Sequence, residues 1–165
     1  MMQKKVCMLG ASAVGKTSLV RRYVNSIFSD KYLTTVGVKV DKKLVNADGR
    51  DVTLMLWDIY GDDELQTVQP SFLRGTAGYL LVADGTRRAT LDTARRLHEM
   101  AEKAVGKVPF VLVVNKSDLS SEWQLDSRAL FKLADEGWPV VHTSAKTGAR
   151  VEETFLMLTR AMLGG

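Results

Sequence analysis

Gly10-Ala11-Ser12-Ala13-Val14-Gly15-Lys16-Thr17 sets two glycines ahead of an adjacent lysine and threonine. The run fits the pattern G-x-x-x-x-G-K-S/T in full, after a short apolar stretch and ahead of a helical one. In that setting the main-chain N–H groups of Ser12, Ala13, Val14, Gly15, Lys16, Thr17 and Ser18 curl around phosphate oxygens, and the helix N-terminus adds partial positive charge. Lys16 is placed to reach the β- and γ-phosphates, and the Thr17 hydroxyl to ligate Mg²⁺. A chance glycine-rich turn would not carry the Lys-Thr pair and both flanks. The motif specifies a nucleoside triphosphate and leaves the base open.

Asn115-Lys116-Ser117-Asp118 follows directly on the apolar run Phe110 to Val114. A carboxylate at Asp118 can accept hydrogen bonds from the N1–H and 2-amino group of guanine, a donor pair that adenine lacks. Ser144-Ala145-Lys146 follows a later strand-like segment. It can offer a backbone N–H to the guanine O6 and lay the Lys146 stem near the ring. In isolation N-K-x-D also reads as a solvated loop; beside a phosphate loop it reads as a base-recognition element.

These motifs need elements that hold them at one edge. Lys5 to Leu9 is a short apolar strand, and Gly78 to Ala83 and Phe110 to Val114 are continuous apolar runs, as expected of parallel strands covered on both faces. Val36 to Val45 and Val52 to Trp57 alternate, with a turn signal at Asn46 to Arg50, and predict a hairpin. Thr17 to Asn25, Leu91 to Val105, Leu125 to Ala134 and Val151 to Leu163 have helical spacing, and Pro139 to His142 is a last short strand. The expectation is an α/β chain with a doubly wound, mostly parallel six-stranded sheet, one antiparallel edge strand and about five helices. Ligand loops then lie at the carboxyl ends of the strands.

The chain has 165 residues, fitting one domain over 1–165, with 45% hydrophobic and 25% charged residues. No apolar run approaches the roughly 20 residues of a membrane span, and the first residues leave no room for a signal peptide. Cys7 is the only cysteine, which excludes a disulfide framework and a cysteine metal cluster. A reducing cytoplasm is the expected location. The net charge of +4 is mild and reads as solvated surface.

Taken together and in order from about Lys4 to Leu163, these segments resemble the Ras superfamily of small GTPases, and most closely its Rab branch. The run Phe28-Ser29-Asp30-Lys31-Tyr32-Leu33-Thr34-Thr35-Val36-Gly37-Val38 is similar to the Rab first switch. The resemblance implies that Thr35, rather than its neighbour Thr34, closes on Mg²⁺ and the γ-phosphate. Phe28 would pack against guanine and Tyr32 lie over the phosphates. Trp57-Asp58 resembles the opening of the second switch, with Asp58 the Mg²⁺-side carboxylate and Gly61 offering its N–H to the γ-phosphate. Phe72-Leu73-Arg74-Gly75 resembles Tyr-Tyr-Arg-Gly. The implied function is a GTP/GDP switch with Mg²⁺, hydrolysing GTP through Lys16, Thr35, Gly61 and Asp62. Its effectors, exchange factor and GTPase-activating protein would meet segments 28–41 and 58–75, in signalling or vesicle trafficking. A monomer without nucleic acid is expected.

Several positions depart from that pattern. Where the branch reads Trp-Asp-Thr-Ala-Gly-Gln-Glu, this chain reads Trp57-Asp58-Ile59-Tyr60-Gly61-Asp62-Asp63. Glutamine donates to phosphate while accepting from water; an ionised Asp62 accepts only, and is expected to swing away from phosphate charge. Slow intrinsic hydrolysis follows. Ala13 stands where many relatives have glycine, and Val40 where Rab proteins carry an effector-facing phenylalanine. The last residues hold no cysteine for prenylation, which fits a chain working without a lipid anchor or cut from a larger polypeptide, with membrane recruitment open.

Other residues read as structure. His98 reads as solvated surface, His142 as packing, Cys7 as a small core hydrophobe, and Arg87, Arg88, Arg95 and Arg96 as a charged face. Trp123 and Trp138 read as core or edge anchors, and Met55, Met100 and Met157 as interior. Two competing functions remain: a GTP-binding scaffold that barely hydrolyses, favoured by Asp62, and a P-loop kinase, disfavoured by Asp118 and by the lack of an arginine-rich lid.

Overall fold

The computed structural model describes residues 2–24, 32–33, 38–62 and 67–164; at 32–33 it describes the strand alone. Strand β1 (Met2–Gly10) leads through the phosphate loop into helix α1 (Lys16–Val24). Then come β2 (Tyr32–Leu33), β3 (Lys39–Ala47), β4 (Arg50–Asp58), a 3₁₀ segment at Pro70–Leu73, and β5 (Thr76–Asp84). The chain ends with α2 (Ala89–Val105), β6 (Phe110–Asn115), a 3₁₀ segment at Ser117–Glu122, α3 (Ser127–Asp135), β7 (Val140–His142) and α4 (Val151–Met162).

The strands form one sheet in the order β2-β3-β4-β1-β5-β6-β7. β4, β1, β5, β6 and β7 are mutually parallel, and β3 runs antiparallel to β4. This is the expected six-stranded sheet with its antiparallel strand. The two-residue β2, too short to leave a period-2 signal, pairs outside β3 and takes the edge. The hairpin turns at Asp48-Gly49, both at positive φ (54° and 86°), a two-residue turn whose twist matches the flanking strands. Helix α3 starts two residues later than its apolar pattern because the Asp126 carboxylate accepts the Arg128 N–H and caps it there.

The strand pleat divides the core into two layers. Cys7, Leu9, Tyr79, Leu81 and Leu112 point to the side covered by α2 and α3, joining Leu91, Ala94, Leu97 and Leu133. Val6, Met8, Leu80, Val82 and Val113 point to the side covered by α1 and α4, joining Leu19, Tyr23, Phe155 and Leu158. Tyr23 and Phe155 stack with ring centroids 3.9 Å apart, tying α1 to α4. Trp123 and Trp138 are half-buried against the first layer and Met55 and Met100 pack there too, as expected. Met157 does not: it lies exposed on α4.

His98 also departs from expectation. It is only 8% exposed and stands among Tyr79, Phe110 and Trp138, with Nδ1 2.8 Å from the Tyr79 hydroxyl. Its charged neighbours in the chain hid the fact that α2 buries Leu91, Ala94, Leu97, His98 and Ala101 as one stripe. Burial lowers the His98 pKa, while Glu102 and Glu99 pull the other way.

A folded-state pKa below the unfolded value near 6.5 means that the unfolded chain takes up a proton the folded chain refuses. Stability should therefore fall as pH drops from 7.5 to 5.5. His142, also lowered, contributes to the slope. Urea midpoints at both pH values should show a smaller drop in His98→Gln than in the wild type; an equal drop would remove His98 as the cause.

Candidate functional site

The carboxyl ends of β1, β4, β5 and β6 bring Gly10, Asp58, Asp84 and Asn115 to one edge of the sheet, where the loops form a cavity of about 480 Å³. Ser12, Ala13, Gly15, Lys16, Thr17 and Ser18 line it from one side, and Asp58, Tyr60 and Gly61 from another. Lys39, Ile59 and Lys116 complete the lining.

The loop after β1 is held open by bonds to its carbonyls. Lys16 Nζ donates to Gly10 O at 3.2 Å and Ala11 O at 2.9 Å, and the Asp62 N–H also bonds Gly10 O. Arg87 donates to Ser12 O, Lys116 to Ala13 O and Asn115 Nδ2 to Val14 O. Gly15 O accepts the Leu19 N–H as the first helical bond of α1. A loop whose carbonyls are so occupied fits the arrangement anions require. Ala13 sits at φ 62°, a left-handed conformation unusual outside glycine.

Lys16 is buried, and burial brings its pKa down to about 8, with Asp58 and Asp62 pulling it up and Arg87 adding to the lowering. An ammonium made costly by desolvation gains most from an incoming anion. Asp58 is buried too, and burial raises its pKa against the hydrogen bond from Thr17 and the charges of Lys16 and Lys39. The Thr17 hydroxyl donates to Asp58 Oδ2 at 2.5 Å. A hydroxyl and a carboxylate oxygen together at a phosphate cavity are hard donors that fit Mg²⁺.

The segments 115–118 and 143–146 come together. Asn115 Oδ1 accepts from Thr143 Oγ1 at 3.1 Å and from the Ala145 N–H at 3.2 Å, so one amide ties three loops. Asp118 is exposed and its Oδ1 accepts from Ser144 Oγ at 2.7 Å; Lys146 is exposed beside it. Lys116 pairs with Asp84 at 2.8 Å. Burial pushes Asp84 up, but hydrogen bonds from Lys116 and Thr86 outweigh it and hold the carboxyl below its usual range. Phe28, Thr34 and Thr35 lie outside the described residues, and at Tyr32 only the strand is described.

The second switch differs from expectation in detail. Asp62 has turned away from the cavity, but into the protein rather than into solvent: it is 5% exposed. Its Oδ1 is ion-paired with Arg96 of α2, and its Oδ2 accepts the Val68 N–H at 3.1 Å. Ile59 is fully buried, and Tyr60 donates its hydroxyl hydrogen to Thr67 O. Gly61 rests on the phosphate loop, where a Cβ would come within 2.4 Å of Ser12 Cα. Arg87 and Arg96 thus have specific partners, and the charged-face reading misses both. Asp84 was legible as a lone charge closing an apolar run; Lys39, hidden in an alternating strand, left no mark.

A Cβ at Gly15 would lie 2.2 Å from Asn115 Nδ2, at a φ of 104° that side chains resist. Gly15→Ala should therefore push the phosphate loop off Asn115 and weaken GDP binding at least about tenfold, measured by calorimetry. Unchanged affinity would show that this joint does not hold the site.

A model of the Ras family matches residues 5–164. Over 158 residues the chain is 34% identical to the Ras-related protein Rab-1D of Dictyostelium discoideum, covering 94% of this chain and 78% of that one. It is 33% identical over 160 residues to the Ras-related protein RABD2b of Arabidopsis thaliana (96% and 79% covered), and 34% identical over 162 residues to the GTP-binding protein yptV2 of Volvox carteri (96% and 75%).

Proposed function

From the premise that the chain belongs to the Ras family, as a Rab-like small GTPase, we propose that it is a slowly hydrolysing guanine-nucleotide switch. The observation that carries this reading is the Asn115 amide, which joins the phosphate loop to the loops holding Asp118 and Ala145. One molecule with a polyphosphate at one end and guanine at the other would span that joint.

In this reading the N–H groups from Ala13 to Ser18 bind the phosphates, and Lys16 neutralises the β- and γ-oxygens. Thr17 and Asp58 would hold Mg²⁺, which supplies positive charge where the phosphoryl group departs. Thr35 and the Gly61 N–H would close on the γ-phosphate. Asp118 would accept from the guanine N1–H and 2-amino group, with Ala145 donating to O6 and the stems of Lys116 and Lys146 flanking the ring. Phe28 and Tyr32 would cover the base and phosphates. Segments 28–41 and 58–75 would meet effectors and regulators, and the chain would work as a cytoplasmic monomer, its 165 residues forming one domain. Among the described residues no helix is long and apolar enough to cross a membrane.

In hydrolysis a water attacks the γ-phosphorus as the bond to the β–γ bridging oxygen breaks. Asp62 supports a low intrinsic rate twice over. A carboxylate has no hydrogen to give the γ-phosphate, and both its oxygens are engaged elsewhere, by Arg96 and by the Val68 N–H. The same ion pair favours a second reading, a scaffold that signals by occupancy with little turnover.

Calorimetry in Mg²⁺ should show micromolar or tighter binding of GDP and GTP and none comparable for ADP; equal affinity for adenine nucleotides would end the guanine assignment. Single-turnover hydrolysis of bound GTP should be slow, and Asp62→Gln should speed it roughly tenfold to a hundredfold. A fast wild type slowed by that change would make Asp62 a working group.

A further inference from the structure

We propose that Lys39 is a resident cation at the magnesium corner of the site, which makes nucleotide retention depend less on Mg²⁺ than Thr17 and Asp58 alone would dictate. This rests on the guanine-nucleotide reading and adds to it a residue outside the motifs.

The register of the β3–β4 hairpin sets Lys39 directly opposite Asp58. Residues so paired share a face of the sheet, with Cβ atoms about 4.5–5.5 Å apart. Lys39 is half-buried and lines the same cavity as Lys16, Thr17 and Gly61, so its stem lies against the wall and its ammonium belongs to the phosphate site.

The corner also explains why a cation is kept there. Asp41, two residues along β3 and on the same face as Lys39, is 3% exposed, and its Oδ1 has no hydrogen-bond partner. Its charge works on Asp58 in the raising direction. Two buried carboxylates side by side cost free energy unless a positive charge stands between them and water. Lys39, on the same face and opposite Asp58, supplies a positive charge there. Once phosphates enter, the same ammonium faces them, and it competes with Mg²⁺ for Asp58. Two linked effects follow: Mg²⁺ binds less tightly, and its removal matters less. A unit charge a few ångströms from a phosphate in a partly buried site is enough to change either quantity about tenfold.

The test is the release rate of a fluorescent N-methylanthraniloyl GDP in excess Mg²⁺ and after chelation by EDTA. In the wild type, chelation should speed release by no more than about tenfold. In Lys39→Gln the acceleration should be about tenfold larger, with the midpoint of Mg²⁺ protection at about tenfold lower Mg²⁺. Lys39→Arg should keep the wild-type ratio. A wild type whose release accelerates a thousandfold on chelation overturns the proposal without any variant. So does a Lys39→Gln protein with the wild-type ratio and midpoint, even if less stable, because Lys39 then serves only the fold. A wild type that binds no fluorescent GDP at all overturns the nucleotide reading itself, a distinct result.

Discussion

The site depends on keeping the carbonyl oxygens of one short loop facing outward. A chain of six residues carries as many acceptors as donors, and a phosphate tolerates only the donors. Here each carbonyl from Gly10 to Gly15 accepts a hydrogen bond. The donors come from five places: Lys16 itself, Asp62 at the start of the second switch, Arg87 after β5, Asn115 and Lys116 after β6, and Leu19 within α1. The loop is therefore shaped by the segments that follow β4, β5 and β6.

That dependence explains the electrostatics. Lys16 can reach the loop carbonyls only by leaving water, and burial lowers its pKa. Asp58 and Asp84 are buried by the same crowding, yet they shift in opposite directions. Asp84 has Lys116 at 2.8 Å and two bonds from Thr86, while Asp58 has one hydroxyl and more distant cations. Asp84 is a structural carboxylate ion-paired with Lys116. Asp58, with the weaker set of partners, is left with a raised pKa.

Much of this was legible in the sequence because it is local. The phosphate loop is a contiguous motif, and the buried parallel strands are apolar runs whose ends mark the site edge. The hairpin turn follows from Asp48-Gly49. What was hidden depends on pairs far apart in the chain. His98 looks solvated among Arg95, Arg96 and Glu99 until the stripe on α2 meets Tyr79 and Trp138. Arg87 and Arg96 look like one charged patch, yet each serves a partner more than thirty positions away. Lys39 sits in an alternating strand like any solvated lysine, and only the register with β4 brings it to Asp58.

Asp62 shows how such distant pairs change a motif's meaning. Taken alone, aspartate in place of glutamine shortens the side chain by one methylene and removes a donor. In the fold it also supplies a charge that α2 can hold, and Arg96 holds it. The ion pair draws residue 62 to the helix, the Val68 N–H fixes the second oxygen, and the Asp62 N–H stays on Gly10 O. The side chain is thus committed to the α2 side, while its main chain continues to shape the phosphate loop and Gly61 stays packed on Ser12. A glutamine would keep the main-chain bond but give up the charge that α2 attracts. The main-chain bond and the side-chain ion pair of residue 62 are thus separate, and the first supports the phosphate loop whatever the second does.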